Sequence, residues 1–214
     1  MLALTAPDET AHDFARFPGK PLPVGGSWFR QPHDRASVDR GAWHFSSYPA
    51  GAEGAGRFDL EEPDGTCYLA STRRAALNEL LGPDHTGRGW VDAALLEGRV
   101  VSQLPLPAPV RAAATTTARA ADFGLTNEIA TTDRYDITQA WAEAWNRAGF
   151  DGVYAVLRFS PGNARGLALF GEAGTPSPPP PGDPDPPPVR ALVESYGIQV
   201  VDPPALPAVT LVSP

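Results

Sequence analysis

The amino-acid sequence predicts an α+β fold, a compact mixed sheet with helices, from three stretches. One is strongly helical, one reads as a hairpin, and one runs strand, cap, helix, so strands are joined by helices and by turns rather than by regular strand–helix alternation. The helix spans Tyr135 to Ala148: Ile137, Ala140, Trp141, Ala144 and Trp145 fall at helical spacing, Thr131 or Thr132 can cap the start, and Gly149 supplies the stop. The hairpin joins Val153–Phe159 to Gly166–Phe170 across the turn-rich Ser160-Pro161-Gly162-Asn163. In the third stretch Gly65–Ala70 reads as a buried strand. Ser71 or Thr72 then caps a helix to about Leu81, which Gly82-Pro83 ends. Trp28-Phe29-Arg30 and Trp43-His44-Phe45 have strand-like aromatic content, and Val91, Ala94 and Leu95 predict a short helix within Trp90–Glu97.

Chain organisation follows from proline. Residues 1–26, with Pro7, Pro18, Pro21 and Pro23, read as an irregular N-terminal segment holding at most one helical turn. Residues 27–174 form the folded domain. Nine of the 25 prolines fall between Pro176 and Pro188, which predicts a stiff linker over 175–189 and a tail over 190–214, either a short helix with strands or a flexible arm.

At 214 residues and 42% hydrophobic, the chain can bury a real core. Seventeen basic against twenty-five acidic residues leave a net charge of −8, which disfavours generic binding to nucleic acid or to an anionic membrane. Only Lys20 among those bases is a lysine, and arginine suits bidentate recognition of small phosphates. A single cysteine, Cys67, excludes a disulfide framework, and the absence of a signal peptide or a long apolar run predicts a cytoplasmic protein. His12, His33, His44 and His85 lack a second ligand at helical spacing, so no metal is expected. Phosphate-loop, dinucleotide-fingerprint, zinc-protease and nucleophile-elbow motifs are all missing.

What stands out is an ordered set of motifs: Phe29-Arg30, Gly56-Arg57-Phe58-Asp59, Gly65–Ala70 with Tyr68, and Ala75–Glu79. Arg57 to Tyr68 and Tyr68 to Glu79 are both eleven residues. Phe123–Thr132, Thr138–Ala142, Gly149–Gly152 and Leu167–Gly171 follow. In this order and spacing, over about residues 27–172, the sequence resembles the RES domain, the toxin half of a bacterial toxin–antitoxin pair.

The resemblance implies a fold like that of the ADP-ribosyltransferase toxins and cleavage of the nicotinamide–ribose bond of NAD. NAD is then a substrate rather than a cofactor, with inorganic phosphate as a candidate co-substrate. Glu79 and Arg57 are the catalytic candidates. Arg30 would join Arg57 in clamping the pyrophosphate, and Tyr68 would offer a ring face and a hydroxyl. Ser71, Thr131 and Arg158 are candidates for support. The family's serine falls at Leu157, so no catalytic serine is named. Expected partners are NAD and a separately encoded helix-turn-helix antitoxin, with a homodimer left open. Modification of a protein target and NAD binding without catalysis are the alternative functions.

Overall fold

The computed structural model describes residues 3–30, 33–34, 42–85 and 89–202. Its first half contains β1 (Gly19–Leu22), β2 (Gly25–Arg30), β3 (His33–Asp34), β4 (Asp64–Ala70), α1 (Arg73–His85) and β5 (Trp90–Asp92). Then come α2 (Ala93–Leu96), β6 (Arg99–Val100), β7 (Gln103–Leu106) and β8 (Val110–Ala114). The remainder holds α3 (Tyr135–Arg147), β9 (Gly152–Val156), β10 (Arg165–Glu172), α4 (Val189–Ser195) and β11 (Gln199–Val201).

Seven strands form the main sheet in the order β1-β8-β9-β10-β4-β2-β7. Every pairing in it is antiparallel except β8 with β9, which are parallel because α3 carries the chain back across the sheet. Side chains alternate between its two faces as the pleat requires. Tyr68, Val153, Ala155 and Ala168 face the layer formed by Trp141, Ala144 and Trp145 of α3, while Cys67, Leu69, Leu167 and Leu169 face Trp43 and Phe45. Both edge strands carry a proline, Pro21 and Pro105, which withdraws a donor from the exposed ladder and discourages pairing with other chains.

The predicted α+β class, the α3 helix and the β9–β10 hairpin all match. Thr72 caps α1 as expected, its Oγ1 accepting from Ala75 N at 3.1 Å. That helix nevertheless runs past Gly82-Pro83 to His85. Gly82 serves packing instead: a Cβ there would meet the Phe159 ring at 2.1 Å, so glycine lets the 157–160 segment lie against α1. Neither Thr131 nor Thr132 is the cap residue of α3. Arg134 stands there, with Thr132 Oγ1 accepting its N–H at 3.1 Å, because a 3₁₀ turn over Asn127–Ala130 has already used Thr131 as its end. Trp90–Asp92 is a strand rather than helix, paired in parallel with β11. Trp43-His44-Phe45 forms no regular strand; Phe45 bridges Gly174 alone.

Two further corrections concern the ends. The N-terminal segment is not merely irregular: β1 pairs with β8, and Phe14 and Phe17 pack on Trp141 and Trp145 at ring separations of 5.2–6.5 Å. The aromatic content of α3 outweighs the proline signal there. The Pro-rich stretch, expected as a stiff linker, is packed on the domain, and the tail takes the helix-and-strand alternative in α4 and β11. Trp43 Nε1 donates to Pro181 O at 3.2 Å, Val101 N donates to Pro187 O at 3.3 Å, and Val189, Val193 and Ile198 enter a core shared with Leu77, Leu81, Leu96 and Val101. Residues 203–214 and the side chains of His33 and His85 lie outside the described residues. Among the described residues no helix is long and apolar enough to cross a membrane.

Candidate active site

The α3-facing side of β4, β9 and β10 opens into a cavity of about 460 Å³, within the size range of small-molecule sites. Its walls are the 54–59 loop, α1, the 157–159 segment and the start of α3. Arg57, Asp59, Tyr68, Glu79, Tyr135 and Arg158 are its polar and ionisable lining residues, together with Ser46 and Tyr48. A second cavity of about 530 Å³ lies by α2 and α4; its Arg190 and Asp202 pair with each other at 2.9 Å, and Glu97 and Arg99 also line it.

Glu79 projects from α1 toward the 157–160 segment. Its Oε1 accepts from Phe159 N at 3.0 Å and lies 3.5 Å from Ser160 Oγ. Burial raises its carboxyl pKa above the usual glutamate value, against the lowering effect of those hydrogen bonds and of Arg57. The close approach allowed by Gly82 is what brings Phe159 N within reach.

Arg57 is half-buried on the loop after Gly56. Its Nη1 donates to Thr132 O at 2.7 Å and to Ile129 O at 3.3 Å, and its guanidinium sits 4.8 Å over the Tyr135 ring. No carboxylate lies within ion-pair distance of it among the described residues. Burial lowers its pKa, with the Tyr135 and Asp133 fields opposing, and an arginine remains cationic in this range. Arg158, at the mouth, donates to Asp133 at 2.7 Å with its side chain 35% exposed. The cavity therefore holds two guanidiniums, one without a counter-ion among the described residues, and two carboxyl groups, Asp59 and Glu79.

Tyr68 presents its ring to the cavity from β4, and its hydroxyl accepts from Phe58 N at 2.8 Å. Burial, and then the neighbouring Asp59, push the phenol pKa well up, so Tyr68 stays protonated. Asp59 is itself held above the usual carboxylate range by burial.

Of the sequence-predicted residues, the structure brings together Glu79, Arg57, Tyr68 and Arg158. It does not bring in Arg30, whose Nη1 donates to His44 O at 3.0 Å and approaches Cys67 Sγ at 2.7 Å. Cys67 and Tyr68 are adjacent on β4 and so point to opposite faces, which removes Arg30 from the cavity and gives the second-arginine position to Arg158. Ser71 Oγ accepts from Arg165 N at 2.9 Å and so ties the β10 strand to the end of β4. Thr131 ends the 3₁₀ turn. Leu157, at the expected serine position, lines the cavity, and Ser160 supplies the hydroxyl beside Glu79. Sequence reasoning missed Asp59, Asp133 and Tyr135. The signal for Asp59 was its place directly after Gly-Arg-Phe; Asp133 and Tyr135 carried none apart from preceding a strong helix. Among the described residues no three His, Cys, Asp or Glu side chains gather as a metal-ligand cluster.

This fold and site define a small α+β protein with one cavity lined by two arginines and two carboxyl groups. Residues 27–187 match the RES domain family, and the chain belongs to it. Its fold is similar to that of a chain in the crystal structure of the M. tuberculosis MbcT–MbcA toxin–antitoxin complex, with a TM-score of 0.51 and 19% identity over 71% of this chain and 76% of that one. No curated protein sequence matches it.

Proposed function

We infer that this chain is the toxin of a toxin–antitoxin pair and that its cavity cleaves the nicotinamide–ribose bond of NAD. The observation that carries the reading is the joint placement of Arg57, Arg158 and Glu79 around a single cavity. A dinucleotide pyrophosphate is a dianion that two guanidiniums clamp well, and Arg57 brings an uncompensated charge to it. The local positive site also reconciles an anionic substrate with a molecule of net charge −8.

In the reaction the bond between ribose C1′ and the nicotinamide nitrogen breaks, and nicotinamide leaves neutral with the bonding pair. The ribose acquires oxocarbenium character. The carboxylate of Glu79, fixed by Phe159 N, stabilises that charge or orients the ribose hydroxyls. Phosphate, or water with loss of a proton, then bonds to C1′. The Tyr68 ring packs against nicotinamide or ribose, while its hydroxyl holds the Arg57 loop through Phe58 N. The toxin–antitoxin context of the similar M. tuberculosis structure supports a separately encoded antitoxin; in this reading the antitoxin is of the helix-turn-helix kind and covers the mouth at Arg158 and Tyr48.

Inducing the chain in bacteria is expected to lower intracellular NAD before growth stops. Growth arrest at constant NAD would contradict the reading, and radiolabel from NAD accumulating on a macromolecule would replace it by protein ADP-ribosylation.

A further inference from the structure

Among the described residues the core buries six polar side chains: Asp59, Thr66, Ser102, Thr138, Gln139 and Ser160. Burying such groups costs free energy unless their hydrogen bonds are made, so where they are spent is informative. Four of the six converge on one short loop, residues 56–59. Asp59 Oδ2 accepts from Gly56 N at 2.6 Å, and Gln139 Nε2 donates to Gly56 O at 2.8 Å. Thr138 Oγ1 donates to Arg57 O, and Thr66 Oγ1 donates to Phe58 O at 2.8 Å. Phe58 N donates to the Tyr68 hydroxyl, and Asp59 N to Gly56 O at 3.3 Å.

The backbone on both sides of Arg57 is thus held by side chains from β4, α3 and the loop itself. Gln139 also accepts from Gly51 N at 2.7 Å, so one amide spans two loops with both its ends engaged, which fixes its orientation. The fit at Gly56 is tight: a Cβ would stand 2.5 Å from the Tyr68 hydroxyl and 2.9 Å from Asp59 Oδ1. On α3 the other buried side chains are Trp141, Ala142, Ala144 and Trp145, so Thr138 and Gln139 are the polar interruption of an apolar stripe. The carbonyls that receive the Arg57 guanidinium, Ile129 O and Thr132 O, lie on the segment leading into that same helix.

We propose that Thr138 and Gln139 are positioning residues: they clamp the Gly56–Asp59 loop so that the Arg57 guanidinium stands pre-oriented in the cavity. The clamp follows from the hydrogen bonds; its catalytic consequence rests on the reading that Arg57 meets the anionic part of NAD.

The test compares the wild type with Thr138→Val, Gln139→Leu and the hydroxyl-retaining Thr138→Ser. Leu106→Ala on β7, buried on the opposite face of the sheet, serves as a stability control. The first readout is the ¹⁵N relaxation of the Arg57 Nε–H group. It should be as rigid as the backbone in the wild type, Thr138→Ser and Leu106→Ala, and mobile in Thr138→Val and Gln139→Leu. The second is the KM for NAD, which should rise on the order of tenfold in those two variants with a smaller change in kcat. A rigid Arg57 in both variants overturns the clamp, as does an equal loosening in Leu106→Ala. A mobile Arg57 with unchanged KM overturns its role in the site. If the wild type leaves NAD intact, the functional reading fails, and the relaxation result still decides the clamp.

Discussion

Glu79→Gln is expected to lower nicotinamide release from NAD by about 10²–10³-fold, the loss typical when one preorganised electrostatic partner of a transition state is removed. The fold should survive the change, because the carboxamide oxygen can still accept from Phe159 N, the contact that seats this side chain. Stability should move in the opposite direction to activity. Burial raises the Glu79 pKa, so the folded state holds its proton to higher pH than the unfolded chain does. Below the ordinary glutamate pKa both states are protonated and the group costs nothing. As pH rises through the elevated folded value, the wild type pays the full penalty of a buried charge, and the variant, which does not titrate, is spared it. Melting curves should therefore nearly coincide at acid pH and separate toward neutrality, with Glu79→Gln the more stable. An active variant, or one that melts earlier at neutral pH, would remove Glu79 from the role given to it.

Deleting residues 189–214 is expected to abolish cooperative folding, although the segment matched to the family ends at residue 187. Val189 and Val193 are fully buried and Ile198 nearly so. Burying an aliphatic side chain stabilises by roughly 1.5–3 kcal/mol, so the three supply about 4.5–9 kcal/mol. That is comparable to the whole stability of a typical domain, about 5–15 kcal/mol. Truncation also strips β5 of its partner strand and uncovers Val91, Leu96 and Val101, a patch prone to association. An insoluble product or a featureless melt is the expected outcome. A truncated chain melting cooperatively within a few degrees of the full one would show the tail to be an accessory.

Local patterns were legible in the sequence where one segment carried the whole signal. The α3 periodicity and the β9–β10 hairpin are of this kind, and so is the even spacing of Arg57, Tyr68 and Glu79, which all line one cavity. Features set by long-range pairing were not legible. The exclusion of Arg30 depends on which face of β4 Cys67 takes, and the arrival of Arg158 depends on Gly82 admitting Phe159. Thr138 and Gln139 were visible as part of the motif Thr138–Ala142, but nothing nearby in sequence shows that a loop 81–83 residues earlier needs their hydrogen bonds. Proline density misled at both ends: it records a restricted backbone, and a restricted backbone can be packed as well as free.

The central claim is tested most directly by incubating the purified chain with NAD, with and without inorganic phosphate, and following free nicotinamide. The account predicts nicotinamide release that phosphate accelerates, with Leu157 showing that a serine at that position is dispensable. NAD left intact at high protein concentration would contradict it and leave a protein that binds the dinucleotide without cleaving it.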